Sequence, residues 1–194
     1  MQLLIRRLNI YIKELVYRNI EGKKVLFLFI LTNLVYGFML LFTIPKVMGY
    51  SGGMKIFDML PMGYQPEYAG LLLEKLGVAG RNVYLYYQIP IDLLYPFLFG
   101  ITYCLLLAYL LNQIQHLKAV YFYLCILPLL AGLFDYLENF CIINLLVSYP
   151  QVSEGSIQIS SFFTVIKSLL STISFTVIIA VLIILVFKKI VRKK

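Results

Sequence analysis

Four ionisable side chains interrupt apolar runs of this 194-residue chain: Asp92, Asp135, Glu138 and Lys167. In hydrocarbon an unpaired charge costs several kcal/mol, so residues of this kind mark functional sites by default. Their spacing groups them. Asp135, Glu138, Asn139 and Ile142 form an i, i+3, i+4, i+7 stripe along one helix face. Ser160, Thr164, Lys167, Ser168 and Ser171 share a narrow arc of a second helix, and Gln88, Asp92, Tyr95 and Tyr103 share a face of a third. For three such faces the alternative to meeting inside a bundle is lipid, so they are expected to meet.

A layer of this composition admits three chemistries. Glu138 and Lys167 suit an acid and base pair in a lipid-modifying enzyme, with Asp92 a third catalytic candidate and Tyr95, Tyr103 and Tyr136 as donors to a developing oxyanion. The same layer suits binding or transport of a lipid or small amphiphile. The ligand-binding residues would be Arg81, Gln88, Asp92, Tyr95, Tyr103, Asp135, Tyr136, Glu138, Asn139, Thr164, Lys167 and Ser168. The third reading is a structural polar network gluing a subunit or assembly factor together. Amphiphile binding is the favoured active reading. Hydrolase chemistry finds no nucleophile elbow, no HExxH and no paired histidines. A Schiff-base role for Lys167 would want more than four spans around a retinal. Three carboxylates face one lysine; even with Arg81 joining, the cluster keeps a charge of −1 when fully ionised. Low dielectric disfavours that, so a protonated carboxylate or a bound cationic group is expected.

The elements that position this layer follow from composition. The chain is 61% hydrophobic and 13% charged, with a mean hydropathy of +0.88. A soluble domain is nearer 45–50% apolar and about 25% charged, which excludes a soluble, disordered or nucleic-acid-binding chain. A bilayer core of roughly 30 Å needs about 20 apolar residues in a helix. Charge-poor stretches then give spans at 25–45, stopped by Pro45, and at 91–112, 119–149 and 161–187. The fold class is an all-α, polytopic four-helix bundle forming one domain. Twelve of the 17 basic residues fall in the two termini and the 113–118 loop. By the positive-inside rule both termini are expected in the cytoplasm.

Outside the spans, residues 1–24 read as a cytoplasmic amphipathic segment, helical over 2–20, with Leu4, Leu8, Tyr11, Ile12 and Leu15 on one face. They are too charged for a signal peptide, and no processing is expected. Residues 46–90 read as an outer cap of two short helices. One starts at Pro66 and stops at Gly77; the other runs from Arg81 into the second span and is broken at Pro90. Residues 188–194 form a basic tail. Cys104, Cys125 and Cys141 read as buried thiols, and the single His116 sits in a loop, so neither a metal site nor a cofactor is expected. The partners expected are membrane lipids.

Short loops between antiparallel spans also set heights. The expected registers put Asp92 level with Asn139 and Lys167 level with Ile142. Glu138 then lies about 6 Å deeper than Lys167 and Asp135 one turn deeper again.

The strings FDMLPMGY (57–64), LGVAGRNVYLYYQIPIDLLYP (76–96), LPLLAGLFDYLEN (127–139) and FTVIKS (163–168) resemble the signature of a family of small bacterial four-span proteins. They cover about a quarter of the chain. The resemblance implies an inner-membrane setting and carries no activity. A looser, fold-level analogy holds with the four-span EXPERA proteins, which also place acids in a lipid-accessible pocket.

Overall fold

The computed structural model describes residues 18–115 and 123–191, together with Glu14. The helix expected over 2–20 lies almost wholly outside the described residues, as do His116 and residues 192–194. Among the described residues the chain is all-α, with no strand. Four helices are long and apolar enough to cross a membrane: Gly22–Tyr50, Pro66–Ile114, Tyr123–Ser148 and Glu154–Val191. The chain is a multi-pass integral membrane protein with a helical-bundle fold.

The first spanning helix is α1 (Gly22–Phe38), a π turn (Met39–Thr43) and α2 (Ile44–Tyr50). The second joins α3 (Pro66–Val83), a π turn (Tyr84–Gln88) and α4 (Ile89–Gln115). A 3-10 turn (Tyr123–Ile126) leads into α5 (Leu127–Ser148), and α6 is Glu154–Val191. The bundle surface is apolar: Phe27 is 65% exposed, Leu34 66% and Leu41 72%. Two apolar clusters fill the interior. One holds Val25, Phe99, Leu107, Ala108, Ile178 and Val181 at the end where α1 begins. The other holds Ile56, Phe57, Leu72, Leu73, Ile142 and Leu145 at the opposite, loop end.

Prolines shape the path between them. Sequence reasoning puts a stop at Pro45 and a break at Pro90, and the chain makes neither. A proline lacks an N–H and its ring crowds the carbonyl four residues back. Both prolines stand two residues after a π turn, whose extra residue widens the helix and moves that carbonyl out of the way. The two π turns pack on each other, and the buried Thr43 Oγ1 donates to Gln88 Oε1 across the contact. Gly77 ends the first helical segment of α3 as expected, and a second segment follows it across a kink. Gly77 takes φ +58°, open to glycine at little cost.

Pro96, inside α4, has a different remedy. It leaves the carbonyl of Asp92 without its helical donor. Asn139 Nδ2, reaching from α5, donates to that carbonyl at 3.1 Å. The two helices are close enough for this because Gly132 lies against Pro96. A Cβ on Gly132 would sit 2.6 Å from the Pro96 carbonyl oxygen.

The turn between α5 and α6 is tighter than expected. Hydropathy suggests a loop over 150–160, but α6 begins at Glu154, where the Ser153 hydroxyl accepts the Ser156 N–H at 3.2 Å. A serine just ahead of the helix supplies this start, and polar residues 154–160 are helical although they are not apolar. The seven-residue difference is about two turns. It brings Lys167 level with Asp135, two turns deeper than the expected register. At the other end of the bundle, Lys188 Nζ donates to the Ile114 carbonyl at 2.5 Å, placing a cation at the end of α4.

Candidate functional site

Between the two apolar clusters lies a polar layer built from α4, α5 and α6. Lys167 faces the carboxylates of both Asp135, at 3.2 Å, and Glu138, at a shorter contact. Glu138 is fully buried and also accepts from Thr164 Oγ1 at 2.6 Å. The two acids stand one turn apart on α5, so a single flexible ammonium spans both. This end of the layer is not sealed. The side chain of Lys167 is 16% exposed and that of Asp135 is 9% exposed.

The other end of the layer is covered by the loop between α2 and α3. A 3-10 turn, Phe57–Met59, carries the wholly buried Phe57 between Tyr64, with ring centroids 4.7 Å apart, and Tyr84, at 6.3 Å. Tyr64 fixes the loop to α6: its hydroxyl donates to Ser160 Oγ at 2.7 Å and its N–H to Ser161 Oγ at 2.8 Å. Gly63, at φ +80°, is required here, since a Cβ would fall 2.5 Å from Ser161 Oγ. Burial pushes the Tyr64 phenol well above its ordinary range. The same turn brings in Asp58, whose Oδ2 accepts from the buried Tyr84 hydroxyl at 2.5 Å.

Asp58 is a site residue that sequence reasoning missed. The Tyr84 hydroxyl holds it beside the helix that carries Gln88 and Asp92. Hydropathy assigns it to a loop, and its one signal is its place in the FDMLPMGY string. Tyr84, Gln88 and Asp92 recur every four residues, so they form a row along one helix face toward Asp58, Thr43 and Asn139. In that row Gln88 Nε2, Asp92 Oδ2 and Asn139 Oδ1 are buried without a hydrogen-bond partner, and so is Asp58 Oδ1. Such atoms are rare in folded proteins and each calls for an explanation.

Of the residues singled out from sequence, Gln88, Asp92, Asp135, Glu138, Asn139, Thr164 and Lys167 come together in this layer. Arg81 does not join it. Its guanidinium donates to the Leu73 carbonyl at 2.8 Å and lies over the Tyr149 ring at 4.4 Å, so it neutralises none of these acids. Tyr95 borders the layer and stacks on Tyr36 of α1 with centroids 5.3 Å apart. Tyr103 lies two turns farther along α4, packed against Phe99 at 4.7 Å and Phe175 at 5.0 Å. Tyr136 and Ser168 are half-buried, and their hydroxyls take no part in the network among the described residues. Glu138 and Lys167, candidates for acid and base, are bound to each other.

Tyr103 also lines an apolar groove of about 630 Å³, with Val25, Phe29, Leu106, Tyr109 and Phe175 among its other walls. The groove runs between α1, α4 and α6. Tyr95, Phe99 and Tyr103 link it to the polar layer as a row of rings at successive spacings of 5.8 and 4.7 Å.

In comparisons with protein families, curated proteins and solved structures, the chain matched none. The functional reading therefore rests on this geometry.

Proposed function

We propose that the protein binds or moves a lipid or small amphiphile, with the polar head at Asp135, Glu138 and Lys167 and the apolar chain in the groove lined by Tyr103 and Phe175. The observation that carries this reading is the continuity of the two. Tyr95 packs against both apolar clusters, between which the Lys167 cluster lies, and it leads ring by ring to the groove. Lys167 and Phe175 are eight residues apart on α6, about 12 Å at the helical rise, a fit for a short acyl chain. Two acids to one lysine favour a head that carries a positive charge or donates hydrogen bonds. On the distribution of lysine and arginine, both termini lie in the cytoplasm, and the loop carrying Asp58 lies on the outer side of a bacterial inner membrane.

Mass spectrometry of the purified protein tests the reading. Wild type should carry a co-purifying amphiphile that is lost in the folded Glu138→Gln and Lys167→Met variants. A ligand retained by both folded variants, or none in wild type, would overturn it. An altered lipid accumulating instead would indicate an enzyme. For the orientation, with Cys104, Cys125 and Cys141 replaced by alanine, a single cysteine placed by Ser153→Cys should react with an impermeant maleimide added outside intact cells.

A further inference from the structure

The two halves of the polar layer hold charge differently. Asp135 and Glu138 share the Lys167 ammonium, one positive charge for two buried carboxylates. Among the described residues Asp58 and Asp92 have no cationic side chain of their own, since Arg81 is held at Tyr149 and Lys167 faces the other pair. With all four acids ionised the layer would stand at −3, and for the three that are buried, Asp92, Asp135 and Glu138, a low-dielectric interior disfavours that charge.

Both acids of this second pair, and the amide bonded to residue 92, carry unpartnered oxygens. Asp92 is 3% exposed and Asn139 is fully buried; Asp92 Oδ2, Asn139 Oδ1 and Asp58 Oδ1 have no hydrogen-bond partner. The bond from Asn139 Nδ2 to the Asp92 carbonyl ties that amide to residue 92. A fourth oxygen is within reach of a simple rotation. Gln88 is buried with Nε2 unpartnered, and its Oε1 accepts from Thr43. A hydroxyl can accept as well as donate, and the Thr43 hydroxyl has the Met39 carbonyl at 3.4 Å as another acceptor. Turning the Gln88 amide over would then present Oε1 in place of Nε2. The helix beside it is the widened π turn before Pro90, a feature frequent at functional sites.

We infer that Asp58, Asp92, Asn139 and Gln88 form a binding site for one alkali-metal cation. Bound there, the cation restores at the second pair the ratio that Lys167 sets at the first, one positive charge for two carboxylates. The ligands are hard oxygens, as such ions require. A divalent ion fits less well. Among the described residues no group of three or more His, Cys, Asp or Glu is arranged to hold a metal ion, and magnesium sheds its water shell reluctantly. The site is separate from the amphiphile reading and does not rest on it.

The test uses the full-length protein in detergent at pH 8. Thermal melts followed by circular dichroism compare sodium, potassium, magnesium and N-methylglucamine chlorides at equal ionic strength. An alkali salt should raise Tm by several degrees in a saturable way over N-methylglucamine, and both Asp92→Asn and Asp58→Asn should abolish the rise. Equal melting in all salts, a response to magnesium alone, or stabilisation by acid without any alkali response would overturn the inference. Should either variant fail to fold, sodium-23 NMR on wild type decides. Line broadening that saturates and is reversed by excess potassium supports the site, and its absence refutes it.

Discussion

The carboxylate pairs Asp135/Glu138 and Asp58/Asp92 occupy one layer of one bundle, yet the chain treats them differently. The first pair lies on a single helix and receives Lys167 from the neighbouring helix, with Thr164 as a further donor. The second pair is assembled from a loop and a helix far apart in sequence, with the neutral Tyr84 hydroxyl on Asp58 and an amide on the main chain of residue 92. The first arrangement is that of a cluster with a cation of its own, open at one end. The second collects oxygens around charge that the chain does not neutralise. The difference separates a part of the layer that supplies one positive charge for two acids from a part that supplies none.

The largest expected effect comes from removing the lysine. Lys167→Met strands two buried carboxylates and should cost about 3–5 kcal/mol, the range for breaking a buried pair from one side. Thermal melts would read this as a large fall in Tm, and a fall no greater than for surface lysines would mean that the first pair is not charge-dependent. Asn139→Leu should cost about 1–3 kcal/mol, because the Asp92 carbonyl, already short of a helical donor at Pro96, is then left with none. Adding Pro96→Ala restores an N–H at that position. Recovery in the double variant would assign the loss to the main chain and not to the acids.

Asp92→Asn should act in the opposite direction to Lys167→Met. In buffer free of alkali cations it removes a buried charge that no ion pair holds among the described residues, and should raise stability by about 1 kcal/mol. A destabilised variant under those conditions would erase the distinction between the two pairs. The smallest effect serves as a reference. Thr102→Val breaks the buried contact of Thr102 Oγ1 with Thr32 Oγ1, 2.7 Å long and outside the layer. It should cost about 0.6 kcal/mol, the average for such bonds between membrane helices.

The first pair was legible in the sequence and the second only by half. Asp135, Glu138 and Asn139 fall on one face of an apolar helix, and hydrocarbon leaves such a face no other place than the interior. The height of Lys167 was harder to read. Hydropathy starts the last helix at 161, whereas the start depends on Ser153 and on polar residues it discounts. Asp58 escaped for another reason. A loop residue's depth is decided by what anchors the loop, here Phe57 under two tyrosine rings and Tyr64 on Ser160, and none of these contacts leaves a periodic trace. Pro45 and Pro90 misled because a proline announces a missing N–H but does not say whether the chain responds by stopping or by widening.

The π turn at Tyr84–Gln88 has a consequence for how the chain tolerates changes in length. Each residue of a helix turns the rest by about 100°, so one residue gained or lost normally swings every later side chain to a new bearing. A widened turn holds its additional residue without ending the helix. Tyr84 and Gln88 lie within this stretch and Asp92 just beyond it, so a one-residue deletion there would return the turn to ordinary α-helix and leave Asp92 near its present bearing, whereas the same deletion inside α4 would swing every later side chain by about 100°.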